Sequence, residues 1–236
     1  SDSRTNAGTD YVTSYSKMHL FTPANDRLFV LLPAGNLATT QEVINRIKRD
    51  LDYSDSSESL MTSQYMFEAA DYIGRVTNDV QQSHGTALNQ AGVSGDVTWV
   101  LGGQIAGQPH NLMLIYPQGN YIEASQSTPY LQIGETKYGK PILDRIIRPE
   151  TPHETAMRCA LVSMDSTMRS NVTVGPPIEL LLYKKDGYRL DHHLVLQAED
   201  PYLLELKKMW DDMIKQAFTE LPGFKPSLFK TESAER

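Results

Sequence analysis

The sequence has little that would mark a membrane-spanning or nucleic-acid-binding protein. Cys159 is the single cysteine among 236 residues, so no internal disulfide and no cysteine-based zinc site is expected. No stretch approaches about 18 uninterrupted apolar residues, the length expected of a transmembrane helix. The net charge of −7 argues against duplex DNA and anionic membranes, because both are bound by basic surfaces. We therefore expect no nucleic acid and no membrane as partner, and the lone thiol favours a reducing cytoplasm.

The usual motifs of cofactor and metal enzymes are also missing. The sequence has no Gly-x-Gly-x-x-Gly or Walker pattern, no Gly-x-Ser-x-Gly elbow and no His-Glu-x-x-His. Asp191 precedes His192 and His193, a run that could suggest a metal site. Neighbouring residues of a strand point to opposite faces, so an ordinary half-exposed strand is the better interpretation. We expect neither a metal nor an organic cofactor.

The remaining pattern is that of a globular protein with helices and strands in blocks. Hydrophobic spacing and turn residues predict strands, two helices, strands, two helices, strands and a last helix. The predicted strands are 17–21, 27–32, 97–104, 112–116, 121–122, 130–133, 178–183 and 188–196. The predicted helices begin at Thr39 or Thr40 as N-cap, and near Ser63, Lys137, Thr151 and Pro201. This block order predicts an α+β protein of antiparallel sheets with helix pairs outside them, in one domain over 1–221 with a tail at 222–236.

Two places are harder to explain as scaffold. Asp2 and Arg4 stand at a strand end, and Lys17 precedes the next apolar strand, so a carboxylate and an amine could meet there. On spacing alone, a surface salt bridge worth under about 1 kcal/mol is the better interpretation. Gly35 precedes a helix and could present its N–H to a developing oxyanion, although on spacing alone a simple turn is the better interpretation.

Taken together, these residues resemble a known family. Asp2-Ser3-Arg4, Ala7-Gly8, Lys17 and Ala34-Gly35 resemble motifs of active proteasome β-subunits and of the bacterial HslV peptidase. Longer strings resemble the bacterial proteasome-related family called Anbu, over roughly residues 1–220. These strings are Ala34–Val43, Phe67–Gly74, Leu101–Gln104, Tyr116–Ile122, Gln132–Pro141 and Ser166–Pro177.

The resemblance implies a four-layer αββα sandwich, the fold of N-terminal nucleophile hydrolases. In that chemistry the first residue of the mature chain, a Thr, attacks a carbonyl while its own α-amine acts as the base. By motif position Lys17 keeps this amine neutral, and Asp2 holds Lys17. Arg4 would support both by charge pairing, and the N–H of Gly35 would receive the oxyanion.

The sequence also departs from the family pattern. It opens at Ser1, whereas the family places the Thr about sixteen residues before the position of Asp2, so the nucleophile is expected upstream of Ser1. Glu135 stands where proteasomes have a Ser beside the amine. Asn171 stands where they have an Asp and Val174 where they have a second Ser, with Ser170 nearby. An Asn carries no negative charge, so the helper network of the amine is expected to be altered.

The resemblance further implies a homo-oligomer, either a ring or an open spiral, because a head-to-tail contact that does not close gives a spiral. We expect a self-compartmentalising threonine peptidase that acts on peptides or small amides. One alternative is a related scaffold with weakened catalysis that serves as an assembly or binding platform. Another is amide chemistry on a nonpeptide substrate.

Overall fold

The computed structural model describes residues 1–7, 11–53 and 56–224. These ranges form nine strands and five helices, whose blocks follow the predicted order. The strands are β1 (Arg4–Ala7), β2 (Tyr11–Ser14), β3 (His19–Ala24), β4 (Arg27–Gly35), β5 (Val97–Ile105), β6 (Asn111–Ile115), β7 (Tyr121–Glu123), β8 (Ile178–Leu182) and β9 (His192–Leu196). The helices are α1 (Leu37–Asp52), α2 (Met66–Gln90), α3 (Lys140–Ile146), α4 (His153–Ser170) and α5 (Pro201–Glu220).

The largest sheet is antiparallel throughout, with the strand order β3-β4-β5-β6-β7. Helices α1 and α2 share its main hydrophobic core, to which their apolar faces contribute Ile44 and Ile73. Trp99 of β5 is fully buried in this core, and its indole N–H donates to Thr77 Oγ1 of α2 at 3.1 Å. Since a buried N–H without an acceptor is costly, this bond lets a large aromatic ring fill the core.

The remaining strands form two antiparallel hairpins, β1–β2 and β8–β9. A bridge between Asp2 and Ile178 connects the chain just before β1 to the first residue of β8. Helices α3 and α4 pack together around Leu143, Ile147 and Cys159. The predicted α+β class with antiparallel sheets and paired helices is therefore confirmed.

Local details differ from the predictions at three places. Helix α1 begins at Leu37, and its N-cap is Asn36, whose Oδ1 accepts the N–H of Thr39 at 3.1 Å. The predicted caps Thr39 and Thr40 lie buried inside the first turn, where Thr40 Oγ1 donates to the Asn36 carbonyl. The predicted strand at 130–133 has no strand pairing, and Tyr130 packs instead against the cluster of α3 and α4. The strand predicted at 188–196 begins only at His192.

The chain divides into two compact units, Ser1–Ala198 and Glu199–Arg236. In the second unit, Asp200 caps α5 by accepting the N–H of Tyr202 at 2.9 Å, and Pro201 occupies the first turn as predicted. The single domain over 1–221 stays a prediction, and most of the predicted tail, residues 225–236, lies outside the described residues. Within the described ranges, no helix is long and apolar enough to span a bilayer.

Candidate active site

The carboxylate of Asp2 is the most fully coordinated acceptor of the site. Lys17 Nζ donates to Asp2 Oδ1 at 2.7 Å. The other oxygen, Oδ2, accepts the main-chain N–H of Gly175 at 3.1 Å and that of Arg4 at 3.2 Å. The Asp2 side chain is 11% exposed and that of Lys17 26%. An ion pair so shielded, with further donors on the carboxylate, is electrostatically stronger than one in bulk water.

The geometry of this pair follows from strand pairing. Asp2 is held by its bridge to Ile178, and the carbonyl of the next residue, Ser3, accepts the N–H of Tyr15 at 2.7 Å. This bond brings the segment that carries Lys17 alongside the segment that carries Asp2. The structure therefore brings together the carboxylate and the amine that the sequence placed fifteen positions apart.

The side chain of Arg4 has a different role from the one expected. Its guanidinium Nη1 donates to the Val172 carbonyl at 2.8 Å, and the group lies directly against Gly175. A Cβ at Gly175 would stand 2.4 Å from the Arg4 Cζ, so glycine makes room for the guanidinium. In the described residues Arg4 reaches Asp2 only through its main-chain N–H. The expected charge pairing with Asp2 and Lys17 is therefore corrected: the guanidinium anchors the neighbouring loop.

Gly35 ends β4, at the same end of the β3–β4 hairpin at which Lys17 precedes β3. Its φ is +136°, and a Cβ there would lie 2.1 Å from the Asp96 carbonyl oxygen. Glycine has no Cβ, so it alone can adopt this φ and let the backbone approach the Asp96 carbonyl so closely. The turn at Gly134, which precedes Glu135, lies close to this strand end, since a Cβ on Gly134 would stand 3.5 Å from Ala34 Cβ.

The two residues that depart from the proteasome pattern contact each other. Asn171 Nδ2 donates to Glu135 Oε2 at 3.1 Å, and Glu135 Oε1 accepts the N–H of Lys137 at 3.0 Å. Asn171 Oδ1 in turn accepts both the N–H and the hydroxyl of Thr173, at 2.9 and 2.7 Å. Ser170 is the exposed last residue of α4, and the structure does not bring it to this pair. An uncharged amide thus replaces a second carboxylate, which avoids repulsion with Glu135.

The loop 171–175 connects the two halves of the site. Its first residue binds Glu135, the Val172 carbonyl binds Arg4, and the Gly175 N–H binds Asp2. The contacts of Val172 and Gly175 were not predicted from the sequence, because both residues act through main-chain groups, which every residue type has. The sequence signal that could have indicated this loop is Gly175-Pro176-Pro177, which is typical of a turn.

A second cluster of polar groups lies around Glu179 of β8. Ser1 pairs with Glu179 through both main-chain groups at 2.8 Å, as a residue within a strand does. The Glu179 carboxylate contacts Ser3 Oγ at 3.4 Å and His193 Nε2 at 3.2 Å. Burial and, to a smaller extent, the charge of Lys48 together lower the pKa of His19 to about 4, and Glu179 opposes this shift. His193 reaches Glu179 and its neighbour His192 does not, as expected for adjacent residues of one strand.

The fold and the site together define a relative of the proteasome β-subunit. No protein-family model matches the chain, and no curated protein matches it either. Among solved structures it is similar to "Anbu (ancestral beta-subunit) from Yersinia bercovieri", with 41% identity, a TM-score of 0.88, and coverage of 95% of this chain and 92% of that chain.

A second similar structure is the "Helical Assembly of the Anbu Complex from Pseudomonas aeruginosa", with 40% identity and a TM-score of 0.90 over 98% of this chain and 94% of that one. A third is Anbu from Hyphomicrobium sp. strain MC1, with 39% identity and a TM-score of 0.86 over 95% and 93% of the two chains. The chain belongs to the Anbu family. The α+β sandwich that the resemblance implied is confirmed with it.

Proposed function

We propose that the protein is a subunit of a self-assembling N-terminal nucleophile amidohydrolase that cleaves peptides or small amides. Its nucleophile is a Thr that precedes Ser1 in the full-length protein. The observation that carries this proposal is the Lys17–Asp2 pair, which is shielded from water and whose carboxylate accepts two main-chain N–H groups besides the Lys17 ammonium. These two donors fix the carboxylate beside the lysine.

In the proposed reaction, the Thr hydroxyl attacks the substrate carbonyl and its proton passes to the α-amine of the same residue. The positive charge of Lys17 makes it harder to protonate a nearby amine, so the base is neutral when attack begins. The N–H of Gly35 stabilises the tetrahedral oxyanion. The protonated amine then gives its proton to the leaving amine, and water hydrolyses the remaining ester by the same route in reverse.

The assembly is part of the proposal. The P. aeruginosa relative is described as a helical assembly, and this chain is 40% identical to it. We infer that copies of this chain likewise associate head to tail, in a ring or an open spiral, and that the particle works in the cytoplasm. Such an assembly would restrict access to the nucleophile, which a single subunit cannot do.

The proposal is tested on the full-length protein made from its natural start. Intact mass and peptide mapping give the first residue, and a β-lactone or epoxyketone probe reports whether that residue reacts. An unblocked Thr that becomes labelled, with labelling lost in Lys17→Ala, supports the proposal. A retained Met, an acetylated end, or an unlabelled Thr at high probe concentration contradicts it.

A second candidate is a proteasome-like platform with weakened catalysis, and the Asn171–Glu135 contact favours it. In this case Glu135, which stands at the position beside the α-amine, instead binds the side-chain amide of Asn171. We test it with the pair of variants Asn171→Asp and Asn171→Asp with Glu135→Ser, which restore the residue types of active proteasomes. A gain of labelling in the double variant alone would show that this contact limits catalysis. Equal labelling in all three proteins would remove the platform's structural basis.

A further inference from the structure

The structure has a mixed polar and apolar cleft beside the candidate active site. Its volume is about 440 Å³, and it lies between the segment 127–132, helix α3 and Leu114 of β6. Thr136 lines the cleft and also ends the Gly134–Thr136 turn, whose central residue Glu135 contacts Asn171. The cleft therefore adjoins the site, and its size is within the range of ligand clefts.

The charges that line the cleft do not cancel. Asp144 accepts two hydrogen bonds from the Lys140 ammonium, at 2.7 and 2.9 Å, and one from the Tyr130 hydroxyl, whose oxygen accepts a third bond from Lys140 at 3.2 Å. Lys140 lowers the pKa of the Asp144 carboxyl, so both groups are charged at neutral pH and neutralise each other. Arg148 is the third charged residue of the lining, and it leaves a net charge of +1.

The guanidinium of Arg148 is oriented but only partly used. Its Nη1 donates to the main-chain carbonyls of Asp144 at 3.0 Å and Ile147 at 2.6 Å. Within the described part of the chain, Nε and Nη2 of this side chain have no hydrogen-bond partner. Two adjacent N–H donors on a fixed planar group match the two oxygens of a carboxylate.

The rest of the lining fits the body of a peptide side chain. Leu114, Pro129, Leu131 and Ile147 supply apolar surface. Such a lining gives the aliphatic part of a bound side chain an apolar surface to pack against. A single uncompensated positive charge above an apolar floor suits one carboxylate on a short aliphatic stem.

We propose that this cleft is a subsite for a carboxylate of a peptide, bound by Arg148. The carboxylate can belong to an acidic side chain or to a free C-terminus, since both present the same two oxygens. The inference rests on the proposed function in one respect, namely that peptides are the substrates. It adds that the enzyme favours peptides with an acidic group at the position that reaches this cleft.

The test measures binding of three fluorescent peptides of one common sequence to the full-length assembly by anisotropy. One peptide has an internal Glu and an amidated C-terminus, one has Gln and a free C-terminus, and one has Gln and an amidated C-terminus. At least one charged peptide is expected to bind about tenfold more tightly than the neutral one, as for loss of one charge-assisted bond. The tighter of the two identifies the source of the carboxylate.

Arg148→Gln is expected to remove this preference, and Arg148→Lys to keep part of it. Arg145→Gln is the matched control, because Arg145, near the end of α3, also donates to a carbonyl four residues earlier, that of Pro141, but does not line the cleft. Circular dichroism checks that all variants are folded. Equal affinity of the three peptides, unchanged binding by Arg148→Gln, or equal losses in both glutamine variants would overturn the proposal.

Binding and cleavage are separate readouts in this design. Arg148-dependent binding without cleavage would support the subsite and contradict the proposed peptidase. Cleavage with no effect of Arg148→Gln on binding would support the peptidase and contradict the subsite.

Discussion

Two lysine–aspartate pairs of the protein have the same closest distance but different surroundings. Lys17 lies 2.7 Å from Asp2, and Lys140 lies 2.7 Å from Asp144. The side chains of the first pair are 26% and 11% exposed, whereas those of the second are 56% and 51% exposed. Distance alone therefore does not distinguish the two pairs. Shielding from water and main-chain donors on the carboxylate do, because they raise the interaction energy and fix the geometry, and for this reason the proposed function rests on the first pair.

The largest effect is expected when the shielded pair loses its lysine. Lys17→Ala in the full-length protein should lower turnover or active-site labelling by about a thousandfold, the usual scale of lost acid–base activation. Lys215→Ala, which removes a lysine from the exposed pair with Asp211 on α5, is the control and should leave the rate unchanged. Retained turnover in Lys17→Ala would show that the pair is not catalytic.

The next largest effect is expected at Gly35, whose backbone lies at the same end of the β3–β4 hairpin as Lys17. Gly35→Ala should lower the free energy of unfolding by about 3 kcal/mol, because the new Cβ meets the Asp96 carbonyl and the φ is strained. Gly92→Ala separates the two causes, since its φ is +66° and a Cβ there meets nothing within 4 Å. We expect about 1 kcal/mol for that control by urea unfolding. Equal costs would mean that strain alone, without the clash, explains Gly35.

Double-mutant cycles measure the two ion pairs directly. The coupling energy of Asp2→Ala with Lys17→Ala should be about 2 kcal/mol, and that of Asp144→Ala with Lys140→Ala should be much smaller, because water screens the exposed pair. Urea unfolding of the single and double variants gives both values. Two equal coupling energies would contradict the distinction between shielded and exposed pairs.

Burial also distinguishes two histidines, with the smallest expected effect. His19 has a folded pKa of about 4, below the ordinary value of 6.5, so the folded state favours its neutral form. This contribution to stability is complete above pH 6.5 and is lost as the pH falls toward 4. His19→Gln should reduce the loss of unfolding free energy between pH 7.5 and 4.5 by about 1 kcal/mol, allowing for partial exposure.

His84 provides the matched control for this measurement. It is exposed, so His84→Gln removes a histidine without removing a buried one and tests whether burial is what distinguishes His19. If both variants change the slope equally, burial is not the cause of the His19 effect.

Much of the fold was predictable because periodicity reports burial. The strands around Phe29 and Trp99 and the helices around Ile44 and Ile73 show the apolar spacing that their packing requires. The strand predicted at 130–133 was wrong because apolar residues that cover a helix look the same along the chain as those of a strand. The N-cap of α1 was misassigned because Asn36, Thr39 and Thr40 are all capping residue types.

The candidate site was predictable to the extent that side chains define it. Asp2 and Lys17 stood out as charged residues beside apolar strands, and the structure places them in contact. Arg4 was expected to join them because its positive charge attracts a carboxylate, yet its guanidinium binds a carbonyl of the 171–175 loop. Nothing in the local sequence tells which acceptor a long flexible side chain reaches.

The order of the elements, the α+β class and the charged pair were therefore determined along the chain, through hydrophobic period and residue type. The contact of Glu135 with Asn171 and the donors to Asp2 were decided by tertiary structure. Main-chain N–H and C=O groups are alike in nearly every residue, so their position in space alone selects which of them hold the site. The same holds for the cleft at Arg148, whose net charge depends on which neighbours neutralise each other.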